Sequence, residues 1–261
     1  MEVLLEWEEK MIKFENTEVT GWNAAIRGMR NPMNSWEKSD SFFCETGLQP
    51  TCSCCEDRHT GRCVNGYIIG ENDLKLMKSL SKAGSDHGKF LRMINVTVDI
   101  TAMQPWWAEF DTYKVGTVRN SCSKMHKIHV KPFELSDFTH EGCCKVDYAY
   151  DALLSVIETC EKLRQDFNRT KDKKYWRALI ELLPEGYSMR ATVQLNYQVL
   201  KSIYSARQNH KLDEWCRHKE ITADADSTSQ TKYSKSYKEY FGFCDWIETL
   251  PYSELITGEM E

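Results

Sequence analysis

The stretch from Trp106 to Lys127 (WWAEFDTYKVGTVRNSCSKMHK) crowds reactive groups together. Glu109, Asp111, Tyr113, Lys114, Thr117, Arg119, Asn120, Cys122, Lys124 and His126 lie beside two tryptophans and a phenylalanine. Apolar residues recur here at neither period two nor 3.6, so the stretch reads as the lining of a polar ligand pocket rather than a core element. A solvated loop is the other reading, and the aromatic content opposes it. Trp106 and Trp107 read as packing residues, or as a surface on which a ring could stack. Cys122 has Lys124 and Arg119 on either side and His126 four residues on. Nearby cations favour a thiolate and can bring a cysteine pKa from about 8.5 into the range of roughly 3.5–7.5.

Two other places carry ligand chemistry. Cys52, Cys54, Cys55, His59 and Cys63 fall within a short, turn-rich segment. Thiolate and imidazole at such spacings suit tetrahedral zinc, although Cys-x-Cys-Cys departs from the usual knuckle with two residues between cysteines. A loop of reduced thiols is the alternative. Further on, Arg207 ends an apolar helix in the sequence ARQNHK. Its polar neighbours suit a ligand role, and the helix dipole alone would also favour an arginine there. His210 reads as a polar surface histidine, and Cys143, Cys144 and Cys160 as core or surface thiols.

Composition narrows the function. The 261 residues suffice for one large domain spanning 1–261, with a substantial core. A net charge of -5 argues against broad nucleic-acid binding, which needs a basic face. No apolar run nears the roughly 18 residues that cross a bilayer, so no membrane partner is expected. The acidic N-terminus, MEVLLEWEEK, lacks the features of a signal peptide. Eleven cysteines without a signal read as reduced thiols, and the chain reads as cytoplasmic.

The elements that would position these residues follow from periodicity. Val3–Leu5 reads as a short strand, or Glu6–Lys13 as helical. A short helix over AAIRGM is capped by Thr20 or Asn23 and ends near Gly28. Residues 42–66 read as a Cys-rich insertion. Asn72 or Asp73 caps a helix bearing Leu74, Met77, Leu80 and Ser81, which Gly84 stops. Ile94, Val96, Val98 and Ile100 alternate with polar residues as in a half-buried strand. Helices are predicted over Tyr148–Phe167, Tyr175–Leu183 and Thr192–Ala206, the last with Val193, Tyr197, Leu200, Ile203 and Tyr204 on one side. Residues 217–240 read as a polar insert and the closing FCDWIETLPYSELI as ordered. The class is α+β, and the chain has no internal repeat, no GxGxxG and no Walker loop.

With these motifs in view, the chain resembles the flavin-dependent thymidylate synthases, also called thymidylate synthase complementing proteins. Their signature is Q-x-x-RHR-x-x-S-x-N-E-x-S-x-R. Laid without gaps, Glu109 takes the Gln position and Thr112-Tyr113-Lys114 take Arg-His-Arg. Thr117 takes the first Ser, Arg119-Asn120 take Asn-Glu, Cys122 the second Ser and Lys124 the Arg. Asp86-His87 resembles the family's Glu-His, Leu182-Leu183-Pro184 its hydrophobic-Leu-Pro, and Asn196 to Arg207 its helix from Asn to a nucleotide-binding Arg, with Trp215 beyond. The similarity covers about residues 72–215 and omits both inserts.

The resemblance implies a central antiparallel sheet with long helices and two inserted loops, assembled as a homotetramer with sites at subunit junctions. It implies FAD as cofactor, NADPH and methylenetetrahydrofolate as co-substrates, and conversion of dUMP to dTMP or a close variant. Substrate contacts would come from Glu109, Asn120, Cys122, Lys124, Arg177 and Arg207, with Cys122 and Arg207 catalytic. His87, Thr112, Tyr113, Lys114, Asn120 and Ser202 would contact the flavin. Two departures matter: Lys114 offers a point charge where the family has two forked guanidiniums, and Asn120 replaces a carboxylate. A catalytically altered relative, acting as a nucleotide-binding or assembly module, is therefore the second expectation. The thiol of Cys122, standing where the family has Ser, is read either as a phosphate-pocket liner or as a nucleophile adding to C6 of a uracil ring.

Overall fold

In the computed structural model, which describes residues 12–44, 63–218 and 241–258, β1 (Lys13–Thr20) leads into α1 (Trp22–Arg30). Three two-residue strands follow, β2 (Phe42–Phe43), β3 (Cys63–Val64) and β4 (Tyr67–Ile68), which form a small antiparallel sheet in the order β2-β4-β3. Next come α2 (Glu71–Lys82), β5 (Asn95–Met103) and α3 (Gln104–Phe110). The chain continues through β6 (Val118–Ser121), α4 (Lys124–Lys127), α5 (Asp147–Thr170) and α6 (Lys173–Leu182). It closes with β7 (Ser188–Asn196), α7 (Tyr197–Arg207), α8 (Phe243–Glu248) and α9 (Glu254–Thr257).

The main sheet has the order β1-β5-β7-β6 and is antiparallel throughout. Its two central strands pair along their whole length, from Asn95 opposite Asn196 to Met103 opposite Ser188. One face is apolar: Val96, Val98, Ile100 and Ala102 lie with Met189, Ala191, Val193 and Leu195, all buried. Burying each of the larger side chains contributes about 1.5–3 kcal/mol, so this face anchors the fold. The other face carries Thr97, Asp99, Arg190, Thr192 and Asn120. A smaller core of Ile128, Cys160 and Leu179 joins α5 and α6.

Three local expectations are corrected. The helix expected over Thr192–Ala206 is a strand as far as Asn196, because Met189, Ala191, Val193 and Leu195 alternate at period two against β5. Asn196 then starts α7, its side chain accepting from the Val199 N–H at 3.1 Å, and Tyr197, Leu200, Ile203 and Tyr204 form the buried stripe. Neither Asn72 nor Asp73 caps α2. The Asp40 carboxylate accepts from both their N–H groups, at 2.9 and 3.0 Å, while Asp73 is fully buried against Arg30 at 2.7 Å. Finally, the first third of the aromatic-rich stretch is core and not pocket lining: Trp106, Trp107 and Phe110 are buried on α3. The strand β1 is not evident from the sequence because Asn16 takes a left-handed φ of 53° and the register shifts between Glu15 and Glu18. Val3–Leu5, Cys52, Cys54, Cys55, His59 and residues 219–240 of the polar insert lie outside the described residues.

Candidate active site

Pro105 sits in the first turn of α3, where its missing N–H costs nothing, and starts the helix that carries the aromatic floor. Trp106 stacks on Phe110, with ring centroids 5.1 Å apart, and on Trp215 at 4.7 Å. Arg207, the last residue of α7, lies over the Trp215 ring at 5.3 Å. Its Nε donates to the Tyr113 hydroxyl at 2.7 Å and its Nη2 to the Glu109 carboxylate. Burial works against the charge of Arg207, but the bonds to Tyr113 and Glu109 outweigh it and hold the guanidinium protonated. The structure thus brings together Glu109, Tyr113, Arg207 and Trp215.

The loop after α3 runs beside α7. Gly116 has a φ of 80°, and a Cβ there would meet Val199 Cγ2 at 3.0 Å and Asn196 Nδ2 at 3.1 Å. This close approach at a left-handed φ explains a glycine at this position. The Thr117 hydroxyl donates to the Tyr113 carbonyl and tightens the turn. Thr112 and Lys114 are left exposed on the outer side, and the Thr112 hydroxyl donates to the Glu109 carbonyl at 2.7 Å.

On β6 the side chains alternate. Arg119 pairs with Val193 on the apolar face, over the Trp107 ring at 4.6 Å and in an ion pair with Asp111 at 3.0 Å. Asn120 is opposite Thr192 on the polar face. Cys122 follows on that side, exposed, its N–H donating to the Arg190 carbonyl at 3.0 Å. Lys124 is half-buried; burial lowers its pKa, and the neighbouring Cys122 thiol raises it. Asn120, Cys122 and Lys124 therefore form a second group, from which Arg119 is turned away.

The remaining expected residues lie apart or at the margin. His87 is exposed, just ahead of a 3-10 turn over Gly88–Met93 that packs on α7. Ser202 is exposed on α7, with its hydroxyl donating to the Gln198 carbonyl at 3.1 Å. Arg177 is on α6, largely exposed and paired with Glu181 at 2.5 Å, on the helix whose Trp176, Leu179 and Ile180 pack in the smaller core. Cys63 lies half-buried in β3. His210 Nδ1 accepts from the Leu212 N–H at 3.2 Å, a turn-forming role. Cys160 is buried, which pushes its thiol up to about 11.

One polar cluster is not evident from the sequence. On the polar sheet face, Asp99 accepts from Asn16 at 2.8 Å, Arg190 at 2.7 Å and Thr192 at 2.5 Å. The hydrogen bonds from Thr192, Asn16 and Arg190 hold its carboxyl well below the usual carboxylate range. Its partners come from the two strands on either side, β1 and β7, so only strand register could reveal it.

Among the described residues no helix is long and apolar enough to cross a membrane. No protein-family model and no curated protein matches the sequence. Among solved structures, the chain is similar to the flavin-dependent thymidylate synthase ThyX from Helicobacter pylori complexed with FAD and dUMP. The TM-score is 0.52 at 14% identity, over 77% of this chain and 85% of that one. A second structure of ThyX from Helicobacter pylori with FAD and dUMP gives a TM-score of 0.54 at 13% identity, over 95% and 96% of the two chains. At these identities the likeness shows a shared fold.

Proposed function

We propose that the chain is a divergent flavin-dependent enzyme that methylates a uracil nucleotide, dUMP to dTMP or a close variant. The observation that carries this reading is Arg207: a guanidinium oriented by Tyr113 and Glu109 over Trp215, in a fold whose solved relatives hold FAD and dUMP. The two hydrogen bonds use the Nε N–H and one N–H of Nη2, which leaves both N–H groups of Nη1 and the second of Nη2 as donors for a phosphate or a base carbonyl. Asn120, Cys122 and Lys124 supply a second set of donors. A phosphate near Lys124 would offset the burial that disfavours its charge.

The residues present also fit FAD. Lys114 and Thr112 are exposed donors on the loop beside α7, and His87 and Ser202 are exposed around the same helix. They suit ribose hydroxyls and one phosphate charge; Lys114 does so as a point charge without forked geometry. When bound, the flavin supplies hydride chemistry, with NADPH as reductant and methylenetetrahydrofolate as one-carbon donor. The task of the chain is to orient the base through Arg207 and to keep water from it with Trp215 and Tyr113. In this reading the protein is a cytoplasmic homotetramer, with sites completed at subunit junctions.

Incubation with FAD followed by gel filtration tests the flavin part. The expected result is a flavin absorbance band that travels with the protein and bleaches with NADPH under exclusion of oxygen. A colourless protein leaves the second reading, a nucleotide-binding or assembly module without flavin chemistry. Thr112, Tyr113 and Lys114, which offer no forked guanidinium for a flavin diphosphate, favour that second reading.

A further inference from the structure

The loop that follows α7 folds back on the start of α8. Trp215 N–H donates to the Leu212 carbonyl at 3.0 Å, Phe243 N–H to Glu214 at 2.9 Å and Cys244 N–H to Trp215 at 3.2 Å. The two segments meet at Gly242, where a Cβ would lie 2.5 Å from the Asp213 carbonyl oxygen and 2.7 Å from that of Cys216. Here the Asp245 carboxylate accepts three hydrogen bonds: from the Gly242 N–H at 2.8 Å, the His218 N–H at 2.8 Å and His218 Nδ1 at 2.5 Å. These fix the imidazole with Nδ1 as the donor and Nε2 facing away from Asp245. Nε2 lies 3.6 Å from Cys216 Sγ and 3.9 Å from Asp213 Oδ1. One ligand atom from each of Asp213, Cys216 and His218 falls within 4.8 Å of the others.

We propose that Asp213, Cys216 and His218 bind one divalent ion of the zinc class, with Asp245 as the outer partner that orients the histidine. Four kinds of observation converge. Ligands of a tetrahedral zinc stand roughly 3.3–3.8 Å from one another; the 3.6 Å from Nε2 to Sγ falls in that range, and the 3.9 Å from Nε2 to Asp213 Oδ1 needs only a small side-chain shift to enter it. A thiolate, a carboxylate and a neutral imidazole carry two negative charges, which a divalent ion balances. Thiolate and imidazole select zinc over magnesium or calcium, which take oxygen ligands. The carboxylate on the far nitrogen of His218 is the usual outer contact of a metal-bound histidine. Cys216 and His218 are largely shielded, whereas Asp213 is exposed.

The same atoms in line also suggest a thiol nucleophile with a His-Asp pair. Two features oppose that. Cys216 is only 8% exposed, and the Asp213 carboxylate competes for the same Nε2. The site is independent of any flavin chemistry and concerns the loop that carries Trp215. The sequence signal for it is the Cys216-Arg-His218 spacing; Asp245, 27 positions on, could not be paired with it beforehand.

The test uses the full chain, stripped with a chelator and titrated with cobalt(II) as a spectroscopic substitute for zinc. The Cys-rich segment could also take metal, so Cys54→Ser/Cys63→Ser serves as the background. The expected result is one cobalt per chain with a thiolate charge-transfer band, displaced by zinc. Cys216→Ser should lose that band, and Asp245→Asn should weaken binding about 10–100-fold. Zinc should also raise the melting temperature of the stripped background protein, a readout that holds even if a ligand variant fails to fold. Absence of both the band and the melting shift in that background would overturn the site. So would a band that survives both Cys216→Ser and His218→Ala.

Discussion

Arg207 donates a 2.7 Å hydrogen bond to the Tyr113 hydroxyl, joining residues 94 positions apart in the chain. This bond ties the end of α7 to the loop that follows α3. Tyr113→Phe removes the acceptor and leaves a partly buried donor unmet, at about 1–3 kcal/mol. A lower melting temperature and weaker dUMP binding are expected, by thermal scan and calorimetry. A Phe variant equal to wild type in both would show the bond to be idle.

Trp106 is fully buried between Phe110 and Trp215 and forms the floor under Arg207. Trp106→Ala should destabilise the fold by about 3–5 kcal/mol, the range for a large aromatic deleted from a core. Denaturant unfolding measures it. A loss below about 1 kcal/mol would mean that the site can collapse around the gap.

Burial pushes the Asp73 carboxyl up, but hydrogen bonds from Ser39, Ser41 and Arg30 outweigh it and hold the pKa below the ordinary value. Because the folded pKa is depressed, the stabilisation is present above the unfolded pKa of about 3.9 and fades as pH falls through the folded value. Asp73→Asn leaves Arg30 buried without its partner and should cost about 3–5 kcal/mol at neutral pH. Its stability should also fall less steeply than that of wild type below about pH 4. Parallel stability curves through that range would contradict this assignment.

Cys122 is exposed beside Lys124, while Arg119 is held on the opposite sheet face by Asp111 and Trp107. With one of its two expected cations elsewhere, the thiol is proposed to line the nucleotide site rather than to act as a nucleophile. Cys122→Ser should keep turnover within several-fold of wild type. A loss of several orders of magnitude in turnover, with dUMP binding intact, would instead establish it as the nucleophile.

Much of this was legible in the sequence wherever one periodicity dominated. The alternation through Ile94–Ile100 gave β5, and the helical period through Tyr148–Phe167 gave α5. The run from Met189 to Tyr204 failed because a strand passes directly into a helix at Asn196, so two periods blur within one window. At the site, Glu109, Tyr113 and Arg207 meet, and so do Cys122 and Lys124. Spacing alone could not show that Arg119 and Cys122 point to opposite faces of one strand, since that depends on the pairing of β6 with β7. Nor could it reveal the Asp99 and Asp245 clusters, whose members are distant in the chain.

The most direct test is calorimetric titration of dUMP into wild type and Arg207→Ala, with Glu109→Gln as a control that keeps the guanidinium. Wild type should bind. Arg207→Ala should lose about 1.5–3 kcal/mol of affinity, roughly 10–150-fold, and Glu109→Gln should retain most of it. Equal affinity in wild type and Arg207→Ala, or no binding to wild type, would contradict a nucleotide site at Arg207.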